Sequence, residues 1–129
     1  MIYLMLPRGN NFGWGVCGMY LVKEISGLTQ VKYITDEFTV VDIGDELDFY
    51  FLKNKLIGEV EDKKIKDGVI KQVDYPILQA MDNITLLPCG PDLNGTFKAG
   101  YTFFETNIIP QEYIQNGRDN YDIVVAGSK

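Results

Sequence analysis

The chain opens on the apolar run MIYLML and breaks it at Pro7. Comparable short runs recur: QVKYIT at 30–35, YPILQAM at 75–81, YTFF at 101–104 and IVVA at 123–126. Most are apolar at successive positions, not alternate ones. Such strands bury both faces, as in a parallel sheet between two helix layers. Between the first two runs, Val16, Met19, Tyr20, Val22 and Ile25 return at helical spacing, and Gly27 is placed as a C-terminal stop. The pattern predicts an α/β domain of Rossmann-like kind, a mostly parallel sheet with flanking helices. Its strands are expected at Ile2–Leu6, Gln30–Thr35, Tyr75–Met81, Tyr101–Phe104 and Ile123–Ala126, the last of them buried. Helices are expected at Trp14–Ile25 and Ile109–Asn116, the second with Pro110 in its first turn.

The segment between 37 and 74 is less regular. FTVVDIG reads as a further short strand. LDFYFLKNKLIGEVED reads as two strands joined at Lys53-Asn54, an antiparallel hairpin at the sheet edge. KKIKDGVIKQVD reads as a connecting loop or a short helix. No repeat, low-complexity tract or linker divides the 129 residues, so a single domain over 1–129 is expected.

Composition removes several function classes. The formal charge is −6 and the lysines and arginines are scattered, apart from Lys63, Lys64 and Lys66, which argues against nucleic acid as a partner. No apolar run nears the roughly 20 residues that span a bilayer, and MIYLML lacks the basic start of a signal peptide. A cytoplasmic protein is therefore expected, with Cys17 and Cys89 as reduced thiols. The two Asn-x-Thr matches at Asn83 and Asn94 are then chance. The absence of histidine removes Ser-His and Cys-His nucleophile pairs and histidine metal sites, and no Asp-x-Asp occurs, so no metal site is expected.

In an open parallel sheet, ligands bind beyond the carboxyl ends of the strands. The first strand is followed by Arg8, Gly9, Asn10, Asn11 and Gly13; YPILQAM by Asp82 and Asn83; YTFF by Glu105; IVVA by Gly127, Ser128 and Lys129. Gly13 and Gly15 would let backbone approach a ligand, and a helix N-terminus beyond them offers free N–H groups to an anion. The spacing is neither Gly-x-Gly-x-x-Gly nor a P-loop, and it serves a tight strand-to-helix turn equally well. Glu105 could accept hydrogen bonds from sugar hydroxyls or stabilise developing positive charge; alone it also reads as a solvated strand end. Asp82 with Asn83 also reads as turn chemistry. Asp119 to Asp122 reads as the cap at the entry to the last strand.

The segment KAGYTFFETNIIPQEYIQNGRDNYDIVVAGSK resembles the N-terminal domain of group 1, or family 4, glycosyltransferases of the GT-B fold. The matching positions are Gly100, Tyr101, Phe104 and Glu105, then Pro110, then Asp122, Ile123, Ser128 and Lys129. The glycine segment around Gly13-Trp14-Gly15 is similar to the glycine loop of that family. The resemblance implies transfer of a sugar from a nucleotide-sugar donor to a sugar-containing acceptor, usually with retention at the anomeric carbon, and no cofactor. It implies that this chain is the acceptor-side part, with the donor-binding domain and its Glu-x7-Glu element absent, so that the fragment alone is expected to be inactive. It makes Glu105 the candidate catalytic residue, and Asn11, Gly13, Gly15 and Asp82 candidate substrate-binding residues. Two other classes fit the same residues. One is a non-catalytic, flavodoxin-like module that binds a phosphorylated small molecule at this edge. The other is an interaction protein that self-associates through an exposed domain face.

Overall fold

Leu4 has no exposed surface and its neighbours Tyr3 and Met5 have almost none, so the first strand is covered on both sides. The structure is a computed structural model and describes residues 1–8, 13–103 and 108–126. Along the chain run β1 (Ile2–Met5), α1 (Gly13–Ser26), β2 (Val31–Ile34), α2 (Val40–Ile43), α3 (Glu46–Lys55), α4 (Glu59–Lys66), β3 (Ile77–Ala80), β4 (Lys98–Thr102), α5 (Gln111–Asn120) and β5 (Ile123–Ala126). The five strands form one sheet in the order β2-β1-β3-β4-β5, every neighbouring pair parallel. This is the α/β, Rossmann-like architecture expected from the apolar runs.

Two layers of core lie on the two faces. On one, Leu4, Val31, Tyr33 and Ala80 pack with Val22 of α1, Ile43 of α2 and Leu52 of α3. On the other, Tyr3, Met5, Ile34 and Ile77 pack with Ile65 of α4 and Leu93 of the β3–β4 connection.

The largest departure from expectation lies between residues 38 and 66. FTVVDIG is not a strand. Thr39 caps α2 in a reciprocal box: its hydroxyl accepts from the Asp42 amide at 3.4 Å, while Asp42 Oδ2 accepts from the Thr39 amide at 2.8 Å. Gly44 then ends the turn in the left-handed region, at φ 82°. Nor is there an edge hairpin. Asp45 Oδ1 accepts from the Asp48 amide at 2.9 Å and starts α3, so Lys53 and Asn54 fall in its last turn. KKIK belongs to α4, the helical alternative for that segment, which Gly68 follows at φ 76°. What remains of the strand reading is a single parallel bridge between Leu56 and Tyr33, with the Ile57 amide donating to the Tyr33 carbonyl at 3.0 Å. Tyr33 already pairs with Leu4 on its other side, so Leu56 sits outboard of β2 as a rudimentary sixth strand.

Smaller corrections follow from packing. β4 starts at Lys98, three residues earlier than the aromatic run suggests. The Lys98 amide donates to Asp122 Oδ2 at 2.7 Å, and the Asp122 amide donates to the Lys98 carbonyl at 2.8 Å. Asp122 thus ties the entry of β5 to β4. Pro110 caps α5 from outside its first turn. β5 is not a buried strand: it lies at the sheet edge, with Ile123 50%, Val124 41% and Val125 41% exposed.

One polar cluster fixes α4 to the sheet. The Tyr3 hydroxyl donates to Glu61 Oε1 at 2.6 Å, and Lys32 Nζ contacts Oε2 at 2.8 Å. Burial pushes the Glu61 carboxyl up, but the bonds from Lys32 and Tyr3 outweigh it and hold the carboxyl below its ordinary range. Glu61→Ala leaves the buried Tyr3 hydroxyl without its acceptor, and a loss of about 1–3 kcal/mol is expected by chemical denaturation. The pH dependence has a defined sign. Because folding lowers this pKa, the contribution is present above the ordinary carboxylate range and is lost as pH falls through the lowered value. Below that range the unfolding curves of wild type and Glu61→Ala should therefore converge.

Candidate functional site

β1 is the strand from which the sheet grows in both directions, to β2 on one side and to β3 on the other. At such a switch point the connections diverge and leave a crevice beyond the strand ends. A cavity of about 200 Å³ lies there, lined by Pro7 after β1, Thr35 and Asp36 after β2, Lys66 at the end of α4, and Cys89 and Pro91 of the β3–β4 connection. A second cavity of about 200 Å³ adjoins it outboard of β2, beside Leu56 and Ile57. Thr35, Asp36 and Lys66 line both.

The walls are held by the strands beneath them. The Tyr33 hydroxyl donates to the Leu6 carbonyl at 3.3 Å, tying β2 to the end of β1. Burial pushes this hydroxyl up to about 12, so it stays protonated as a donor. Arg8 Nη2 donates to the Glu37 carbonyl at 2.7 Å, spanning the ends of the same two strands. Gln79, fully buried on β3, donates through Nε2 to the Cys89 carbonyl at 2.9 Å and the Pro91 carbonyl at 3.2 Å, which fixes the far wall. Gly18 brings α1 against the end of β1: a Cβ at this position would run into the Pro7 carbonyl oxygen.

The charges at the rim are unequal in freedom. Lys66 is engaged, with Nζ 3.0 Å from Asp62 Oδ2 and 3.5 Å from the Thr35 carbonyl. The Asp36 carboxylate is exposed and makes no hydrogen bond or ion pair among the described residues. Burial, reinforced by the charge of Asp82, pushes the Cys89 thiol up, so the one thiol at the rim is a poor nucleophile. Among the described residues no group of three potential ligands could hold a metal ion.

The residues singled out from sequence fall in different places. Gly13 opens α1; Gly15, two residues on, is buried and lines neither of these two cavities. Asp82 follows β3 but is spent on its own turn. Its Oδ1 accepts from the Ile84 amide and the Thr85 amide, each at 2.8 Å, and from the Thr85 hydroxyl at 3.1 Å. The bonds from the Thr85 and Ile84 amides hold its carboxyl below the ordinary range. Asn11 and Glu105 lie outside the described residues. Asp36 and Lys66 were missed. Asp36 was within reach of the strand-end rule, because it follows QVKYIT directly. Lys66 was not, since its place depends on how α4 packs.

Among the described residues, no helix is long and apolar enough to cross a membrane. Comparison of the chain with protein-family models, with curated proteins and with solved structures gives no match.

Proposed function

We propose that this domain is the acceptor side of a cytoplasmic glycosyltransferase that moves a sugar from a nucleotide-sugar donor to a sugar-containing acceptor. The observation that carries the reading is the pair of adjoining cavities at the carboxyl ends of β1 and β2. Counting the Leu56 bridge as an outer strand, the sheet runs in the doubly wound order 3-2-1-4-5-6 of Rossmann folds. That order agrees with the resemblance carried by Gly100, Tyr101, Glu105, Pro110 and Asp122. In this reading a second domain supplies the nucleotide site, and Glu105 contacts the transferred sugar or the acceptor. The exposed apolar edge of β5 is the face for association with that domain or with another copy.

A second reading has its own observation. The five full strands alone, in the order 2-1-3-4-5, have the arrangement of flavodoxin-like modules, which bind a phosphorylated small molecule at the same edge. Titration of the isotope-labelled chain, followed by amide NMR, separates the two. The transferase reading expects sugars to shift the amides of Thr35, Asp36 and Gly90 at millimolar concentration. Tight binding of a phosphorylated small molecule, with no response to sugars, would establish the module instead. No shift with either class, together with a concentration-dependent oligomer, would overturn both.

A further inference from the structure

We infer that Asp36 is the receptor for a vicinal diol on a sugar ring, seated where the two carboxyl-edge cavities meet. The inference deepens the function proposed above and rests on its placement of the site. Three observations carry it.

First, the carboxylate is available. It follows β2 directly, lines both cavities, and has no partner among the described residues. An ionised carboxylate only accepts hydrogen bonds, and its two oxygens match two adjacent hydroxyl donors.

Second, the surroundings select against an anion. Asp36, Glu37, Glu59 and Asp62 ring the outer cavity against Lys53 and Lys66, and Lys66 is already paired with Asp62. A phosphate seated there would meet net negative charge, whereas a neutral polyhydroxyl group carries no charge to be repelled and can donate to the carboxylates.

Third, size and polarity suit ring-shaped ligands. Each cavity, at about 200 Å³, is smaller than the roughly 300–1,000 Å³ of sites for drug-sized molecules. Each has room for one ring. The inner one has Met5, Pro7, Ile34 and Pro91 to lie against the apolar side of that ring. The diol could belong to the ribose of a nucleoside or to the sugar of an acceptor.

The test is a titration of the intact chain with adenosine, 2′,3′-dideoxyadenosine and methyl glucoside, in wild type and Asp36→Asn, read by amide shifts. Because Asp36 is exposed and unpartnered, Asp36→Asn should fold as wild type does, which circular dichroism checks. Binding of adenosine that falls about tenfold or more both on loss of the diol and in Asp36→Asn identifies a ribose site read by Asp36. The same dependence on Asp36 seen with methyl glucoside alone identifies an acceptor-sugar site. Equal binding of adenosine and its dideoxy analogue, or unchanged affinities in Asp36→Asn, overturns the role of Asp36 while the carboxyl-edge site stands. No response from any of the three at the cavity residues overturns both.

Discussion

Leu52→Ala should lower the free energy of unfolding by about 2–5 kcal/mol, near the top of that range. Leu52 is fully buried between α3 and the sheet, in the layer that holds Leu4, Val22 and Tyr33. It also lines a cavity of about 150 Å³ shared with Val16 and Met19 of α1 and Ile43 of α2. Truncation would enlarge a space that already exists, and the rigid sheet beneath cannot move up to fill it. Tyr50→Ala is the companion measurement. In a strand, Tyr50 and Leu52 would share a face, and both substitutions would cost alike. In a helix they point well apart, and Tyr50 is 56% exposed. Denaturant melts should therefore show a cost at Leu52 several times that at Tyr50. Equal costs would contradict the helix.

Gly18→Ala should destabilise by about 1–3 kcal/mol, although alanine is the better helix former. In an exposed helix the change would gain about 1 kcal/mol. Here the added methyl meets the backbone oxygen of Pro7, with the Pro7 carbonyl carbon at 3.1 Å and its ring Cδ at 3.4 Å. Backbone at the end of a central strand cannot yield as a flexible side chain can, so α1 must move away. Pro7 is also a wall of the inner cavity. The same variant should weaken ligand binding there, while leaving the Tyr3–Glu61 contact on the opposite face of the sheet intact. A melt shifted upward would show that the helix gain wins and that the close approach costs little.

The central strands were legible because their cause is local. Ile2–Met5 and Ile77–Ala80 are covered on both sides, and strands in that position are mostly apolar, the buried Gln79 being held by its bonds to the Cys89 and Pro91 carbonyls. Helix α1 was legible for a similar reason, since one side must face the sheet. The segment from 38 to 66 was misread because Phe49, Tyr50 and Phe51 favour strands intrinsically, while the capping groups Thr39 and Asp45 favour helices. The caps, together with the burial of Leu52 and the edge-to-face packing of Phe49 on Phe38, decide the outcome. Lys98 shows the same override. It is a lysine at the start of β4, only 4% exposed, tolerated because Nζ donates to the Leu93 carbonyl at 2.9 Å.

The candidate site divides along the same line. The rule that ligands sit beyond the carboxyl ends of parallel strands pointed, from the apolar runs alone, to the edge of the sheet where the two cavities lie. Within that edge it could not tell a free group from an occupied one. Asp82 and Asp36 both follow a strand, yet Asp82 accepts three bonds from its own turn and Asp36 accepts none among the described residues.

Sequence by itself determined the layered α/β architecture, its central strands and the sheet edge at which the strands end, because hydrophobic burial imposes its period on consecutive residues. Only the tertiary structure decided the strand order, the helical fate of 39–66, the exposure of β5 and the meeting of Thr35, Asp36 and Lys66 at two cavities. Those depend on contacts between residues far apart in the chain, whose energies no local pattern records.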